Sequence, residues 1–160
     1  MPDQDKKDIN STVALREITW QNLHDILRLK VKPGQRIAYN AVSVAEAHFH
    51  SHAWIRAIYA DDTPVGFVML HDENLRDKPE QKDFYFLWRF MIDAGHQGKG
   101  YGAQAMHLVV DHVSSNPNAT ELLTSYVPGE GSPVGFYEKL GFEHTGREVH
   151  GEPEMQLGLR

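Results

Sequence analysis

"HQGKGYG" (residues 96–102) places three glycines in alternation with Gln, Lys and Tyr, directly after a strongly apolar run. Glycine loses more backbone freedom on folding than any other residue, so chains keep it where bare N–H groups must approach something closely. Upstream, "FYFLWRFMID" (84–93) is apolar on both faces, as a covered central strand is. Downstream, Tyr101, Ala105, Met106, Val109, Val110 and Val113 share one broad helical face. Strand, tight turn and helix together form an anion-binding device, with the first helical N–H groups directed at a phosphate. Two other glycine-rich devices fit less well. A Walker loop needs four residues between its glycines and then Lys-Ser/Thr, but Gly100 follows Lys99. Gly98, Gly100 and Ala103 formally satisfy the dinucleotide fingerprint, yet they do not open a long βαβ array.

Working outward, "TVALREI" (12–18) reads as a first strand and Trp20–Leu29 as a helix ended by "KPGQ" (32–35). "SVAEAHFHSH" (43–52) reads as a second helix with Ser43 as its N-cap. "AWIRAIYA" (53–60) and "PVGFVMLH" (64–71) flank "DDT" as a hairpin. After the glycine run and its helix, "ELLTSYV" (121–127) is a strand. "SPVGFYEKLG" (132–141) is a short helix with Ser132 to cap it, Pro133 at its first position and Gly141 as its left-handed stop. Two strands about "HGEP" complete an α/β domain around one mixed sheet. Residues 1–11 are polar and expected to form a loose tail, leaving a single domain over 12–160.

The 160 residues suffice for one domain with a real core. Neither a membrane-spanning run nor a secretory leader is legible, and cysteine is absent, so the expected location is cytoplasmic. The net charge of −6 argues against nucleic acid as a partner and favours a cationic small molecule. Much of that charge lies in residues 61–83, where seven acids face three bases. Such a loop is expected either to recruit a polycation or to be merely solvated. "HFHSH" puts His48 and His52 at i and i+4 if the helix continues, but no third ligand is indicated, so no metal is expected.

"Gln97-x-x-Gly100-x-Gly102" resembles the acyl-CoA signature Q/R-x-x-G-x-G/A of the GNAT superfamily of N-acetyltransferases, and "FYEKLGF" (136–142) resembles its second hallmark. "RFMID", "HQGKGYG" and "FYEKLGF" together are similar to bacterial diamine and polyamine (spermidine/spermine) N-acetyltransferases. The resemblance implies a sheet splayed between its fourth and fifth strands, with acetyl-CoA in the gap. The backbone of Phe90, Met91 and Ile92 would pair with the pantetheine arm. Gln97, Gly98, Lys99, Gly100, Tyr101, Gly102 and Ala103 would cradle the pyrophosphate. An N–H near Phe90 would polarise the thioester carbonyl.

By the same resemblance Tyr137 protonates the departing sulfur. The substrate would be a small-molecule amine that attacks directly, and homodimers are common among such folds. Glu46 is a candidate base, with Tyr85, Glu152 and a water chain as alternatives. Lys99 and Lys139 are candidate partners for the CoA phosphates. Arg89, mid-strand among apolar residues, needs an anion or the surface and reads as structural. Many relatives carry Asn where this chain has Glu130, so Ser132 is expected to take over that contact with pantetheine. The rival functions are acetylation of an amino acid, an aminoglycoside-like compound or a peptide terminus, a non-catalytic acyl-CoA-binding module, and a nucleotide-binding oxidoreductase.

Overall fold

A computed structural model describes residues 7, 8 and 10–159. The elements run β1 (Val13–Arg16), α1 (Leu23–Arg28), α2 (Asn40–Phe49), β2 (Ala53–Ala60), β3 (Thr63–Asp72), β4 (Tyr85–Ile92), α3 (Tyr101–Ser114), β5 (Glu121–Ser125), α4 (Val134–Lys139), β6 (Glu143–Val149) and β7 (Glu152–Gly158). One seven-stranded sheet has the order β1-β2-β3-β4-β5-β7-β6. Every neighbouring pair is antiparallel except β4 and β5. That parallel pair is registered only at Phe86↔Leu123 and Leu87↔Thr124. The Thr124 hydroxyl donates to the Leu87 carbonyl at 3.1 Å there. Beyond Leu87 the two strands part.

Both faces of the sheet are covered. Val68, Leu70, Leu87, Leu122 and Met155 pack with Ala105, Met106, Val109 and Val113 of α3. On the other face Ile26 of α1 joins Phe67, Met69 and Met91. Each such side chain removed from water contributes about 1.5–3 kcal/mol, and this holds α3 firmly enough to present its N-terminus as a fixed site.

β4 carries one residue too many for its partner. Leu70 pairs with Leu87 and Met69 with Arg89, so Trp88 is the extra residue of a β-bulge. A bulge bends its strand and redirects side chains. Here it lets Trp88 pack under the face covered by α1 and α2 while Arg89 reaches α2.

Several sequence expectations need correcting. The second helix starts at Asn40 and ends at Phe49, not 43–52. Ser43 is buried inside it, where its hydroxyl accepts from Arg89 at 3.1 Å, and it caps nothing. The helix start is instead fixed by Asn40, whose amide donates to the Ile26 carbonyl at 2.9 Å. His52 lies beyond the helix, in the turn into β2, so His48 and His52 do not form a helical i, i+4 pair.

Pro133 occupies the cap position of α4 rather than its first turn, although Ser132 Oγ still accepts from Val134 N–H at 3.2 Å. Gly141, at φ +99, is left-handed as expected. The expected loose tail lies partly outside the described residues. Its described part is anchored: Asp8 N–H donates to the Lys99 carbonyl at 2.9 Å, and the Tyr101 hydroxyl donates to Asp8 Oδ2 at 2.6 Å.

Candidate active site

Where β4 and β5 part, a cleft of about 1540 Å³ opens. Phe90, Met91 and Ile92 run along one wall, with Ser125, Tyr126 and Val127 along the other. Among the described residues β4 has no strand partner on that side past Leu87. Buried backbone groups rarely go unpaired, so this edge suits an extended ligand carrying amides of its own.

At one end of the cleft β4 runs through a short 3₁₀ turn into α3. Gly98 (φ +79) and Gly100 (φ +87) hold left-handed conformations that L side chains rarely adopt, which turns the chain sharply enough to bring N–H groups toward the cleft. Gly100 is the N-cap of the 14-residue α3. The open N–H groups and the positive end of the helix dipole together favour an anion. Gln97, Gly98, Gly100, Tyr101, Gly102 and Ala103 all line this end, with Lys7 and Lys139 as cations. Lys99 does not line it. The Gln97 amide donates to the Ile92 carbonyl at 2.9 Å and exchanges hydrogen bonds of 2.8 and 3.1 Å with the amide of Gln35.

Tyr137 lines the cleft from α4 with only 6% exposure. Burial pushes its hydroxyl up to about 12 from the ordinary 10, so it remains a protonated donor at any working pH. Ser132 also lines the cleft, whereas Glu130 is exposed and does not.

The end away from α3 is aromatic. Phe84, Phe86 and Trp88 line it with His52, His71 and Glu152. Of the base candidates, only Glu152 touches the cleft. The carboxylate of Glu46 does not line the cleft and is engaged by Arg89 at 2.9 Å, which supplies the anion that Arg89 requires. Tyr85 is buried in the α3-side core, where its hydroxyl accepts from Asn116 at 3.0 Å.

The acids of 61–83 do not line the cleft either. Glu73 is buried and binds His71 at 3.0 Å and Arg76 at 2.6 Å. The bond to His71, foremost, holds its carboxyl down at about 2. Asp83 accepts from Asn74 and Asn116. No group of three His, Asp or Glu side chains able to hold a metal occurs among the described residues. The sequence reading missed His52, His71, Phe86, Trp88 and Gln35 as cleft residues. No motif marks them, because distant segments bring them together.

The acetyltransferase (GNAT) family model matches residues 15–142. The chain is 23% identical to the spermine/spermidine N(1)-acetyltransferase of Bacillus subtilis over 90% of this chain and 97% of that protein. It is 35% identical to the Escherichia coli peptidyl-lysine N-acetyltransferase YjaB over 66% of this chain and 61% of that one. A crystal structure of a Bacillus subtilis acetyltransferase in complex with CoA superposes with a TM-score of 0.64 at 15% identity, covering 94% of this chain and all of that one.

Proposed function

The chain belongs to the GNAT family of acetyl-CoA-dependent N-acetyltransferases, and from that premise we propose that it acetylates a primary amine of a small diamine or polyamine by direct attack on the thioester. The observation that carries the reading is the unpaired β4 edge beyond Leu87, which runs straight into the glycine turn at the start of α3, with Tyr137 beside the gap. Pantetheine pairs with Phe90, Met91 and Ile92 as a missing strand. Its pyrophosphate is held by Gln97, Gly98 and the N–H groups from Gly100 to Ala103, with Lys7 and Lys139 screening the charge. Ser132 takes the pantetheine contact where Glu130 cannot, since only Ser132 lines the cleft.

An alkyl ammonium, with a pKa near that of lysine at about 10, must lose a proton before it attacks. That proton leaves through water in the cleft, with Glu152 the nearest available carboxylate at the acceptor end. Attack forms the C–N bond, and a backbone N–H near Phe90 steadies the oxyanion. Collapse breaks the C–S bond, and the departing thiolate takes the Tyr137 proton. The product amide keeps one N–H, the second proton shed by the nitrogen returns to the Tyr137 oxygen, and one proton in all is released to solvent.

The aromatic walls of the acceptor end and Glu152, the single lining carboxylate among the described residues, suit an alkyl ammonium, which ring faces attract. The test is an amine panel with acetyl-CoA scored by free CoA release, containing spermidine, a short diamine, an alkyl monoamine and a lysine peptide. Turnover highest on the diamine or spermidine is expected. Turnover confined to the peptide would move the assignment to peptidyl lysine, and no thiol release from any amine would reduce the chain to an acyl-CoA-binding module.

A further inference from the structure

His52 is a nearly buried imidazole at the edge of the cleft. It is 6% exposed, its Nδ1 is buried without a partner, and its ring makes no hydrogen bond among the described residues. A buried polar atom left unpaired costs about 1–3 kcal/mol, a burden usually kept for a purpose. The ring is held firmly all the same. It lies parallel to Trp88 at 5.7 Å and against His71 at 4.2 Å, with His50 at 5.1 Å. His71 is itself fixed by Glu73, which Arg76 clamps from behind. The imidazole also lines the acceptor end of the cleft. With Nδ1 sealed in, Nε2 is the nitrogen left to face that space.

Its position along β4 determines what it can meet. Trp88 precedes Phe90 by two residues, at most about 7 Å of strand since Trp88 is the bulged residue. His52, stacked on Trp88, is therefore displaced from the thioester by about one short alkyl chain. It is too far along the strand to touch the nitrogen that attacks and well placed for a second one.

We propose that His52 is a specificity residue, whose Nε2 accepts a hydrogen bond from the second, non-reacting ammonium of a diamine acceptor while Trp88 and Phe86 flank the alkyl chain. This rests on the acetyl-transfer reading above. The acceptor form requires the ring proton on Nδ1 and an uncharged imidazole. Burial first, then the charges of His71, Arg76 and His50, hold the group down at about 4 against the opposing pull of Glu73, so the ring stays neutral and does not repel a cation.

The test compares 1,4-diaminobutane with butylamine on the wild-type enzyme and on His52→Phe and His52→Gln. In His52→Phe, KM for the diamine should rise about tenfold, the loss of one hydrogen bond to a charged group. Its kcat and the affinity for acetyl-CoA should hold, and KM for butylamine should stay within about twofold on the same scale. His52→Gln, which keeps an acceptor, should recover part of the loss. Independently of turnover, 1,4-diaminobutane but not butylamine should shift the ring ¹⁵N signals of His52 in the wild-type protein. Equal KM changes for both amines, or unmoved ¹⁵N signals at saturating diamine, would overturn the assignment. If the wild-type protein releases no CoA from any amine, the acetyl-transfer reading fails by itself, and the ¹⁵N titration still decides whether a diamine meets His52. The same titration decides if His52→Phe does not fold.

Discussion

Tyr137 is a phenol that stays protonated. With its hydroxyl pushed up to about 12 by burial, it keeps its proton through the whole range in which an amine can attack. Tyr137→Phe should lower kcat on the order of 10²- to 10⁴-fold while acetyl-CoA still binds. The wild-type enzyme should show no alkaline loss of kcat from this group up to about pH 10, where a free tyrosine is already half ionised. A mutant with wild-type turnover at every pH would hand the proton to water. Glu46 makes the opposite case. Its pairing with the half-buried Arg89 assigns it to holding α2 on the sheet. Glu46→Gln should cost about 1–3 kcal/mol in stability, because it leaves a charged partner short of its anion. It should leave the shape of the kcat–pH profile unchanged. A lost acid limb would restore Glu46 as the base. Sequence alone singled out Tyr137, because the motif around it is local. It could not see that Glu46 faces Arg89, because that pairing spans 43 positions of chain.

Among the elements, the strand–turn–helix unit from β4 to α3 was readable from its own residues, since glycine spacing and helical periodicity are short-range signals. The boundaries of α2 were not. Ser43 looked like a cap by type, yet tertiary contacts placed it in the helix interior against Arg89. The bulge at Trp88 was equally hidden, because it exists only relative to the register of β3. The turn makes its own testable demand. Gly100 has φ +87 and no clash around a would-be Cβ, whose nearest atom, Lys7 Cγ, lies at an ordinary contact distance of 3.7 Å. A side chain there is therefore opposed by backbone geometry rather than by crowding, most of all a β-branched one. Acetyl-CoA should raise the melting temperature of the wild-type protein by mass action. Gly100→Val should fold yet lose that rise. An undiminished rise in the variant would remove the turn from the site.

For the whole molecule, acid stability should carry the mark of His52. Its folded-state value of about 4 lies below the ordinary 6.5, so the neutral ring favours folding. That contribution is complete above pH 6.5 and is lost as pH falls through about 4. The melting temperature of the wild-type protein should decline over that window, and His52→Phe should flatten the decline. An identical decline in both would place the acid sensitivity in the carboxylates instead. Hydrogen bonds from Gln35 to Gln97 have a consequence of a different kind. Gln97 lines the α3 end of the cleft, and Gln35 begins the stretch through Arg36 and Ala38 that also borders it. The Gly34 carbonyl also lies where a Cβ on Gly131 would stand, 2.6 Å away, so this stretch spans the gap to the loop before α4. On the proposed reading, CoA phosphates that engage the Gln97 amide would take it from Gln35. That exchange would link the two substrates through one pair of amides, and linkage runs equally in both directions. Whatever factor acetyl-CoA applies to amine affinity, the amine applies to acetyl-CoA. Gln35→Leu should bring that shared factor toward one, which calorimetric titration of a non-reactive CoA with and without amine would reveal as the loss of cooperativity between two ligands that meet at a single carbon.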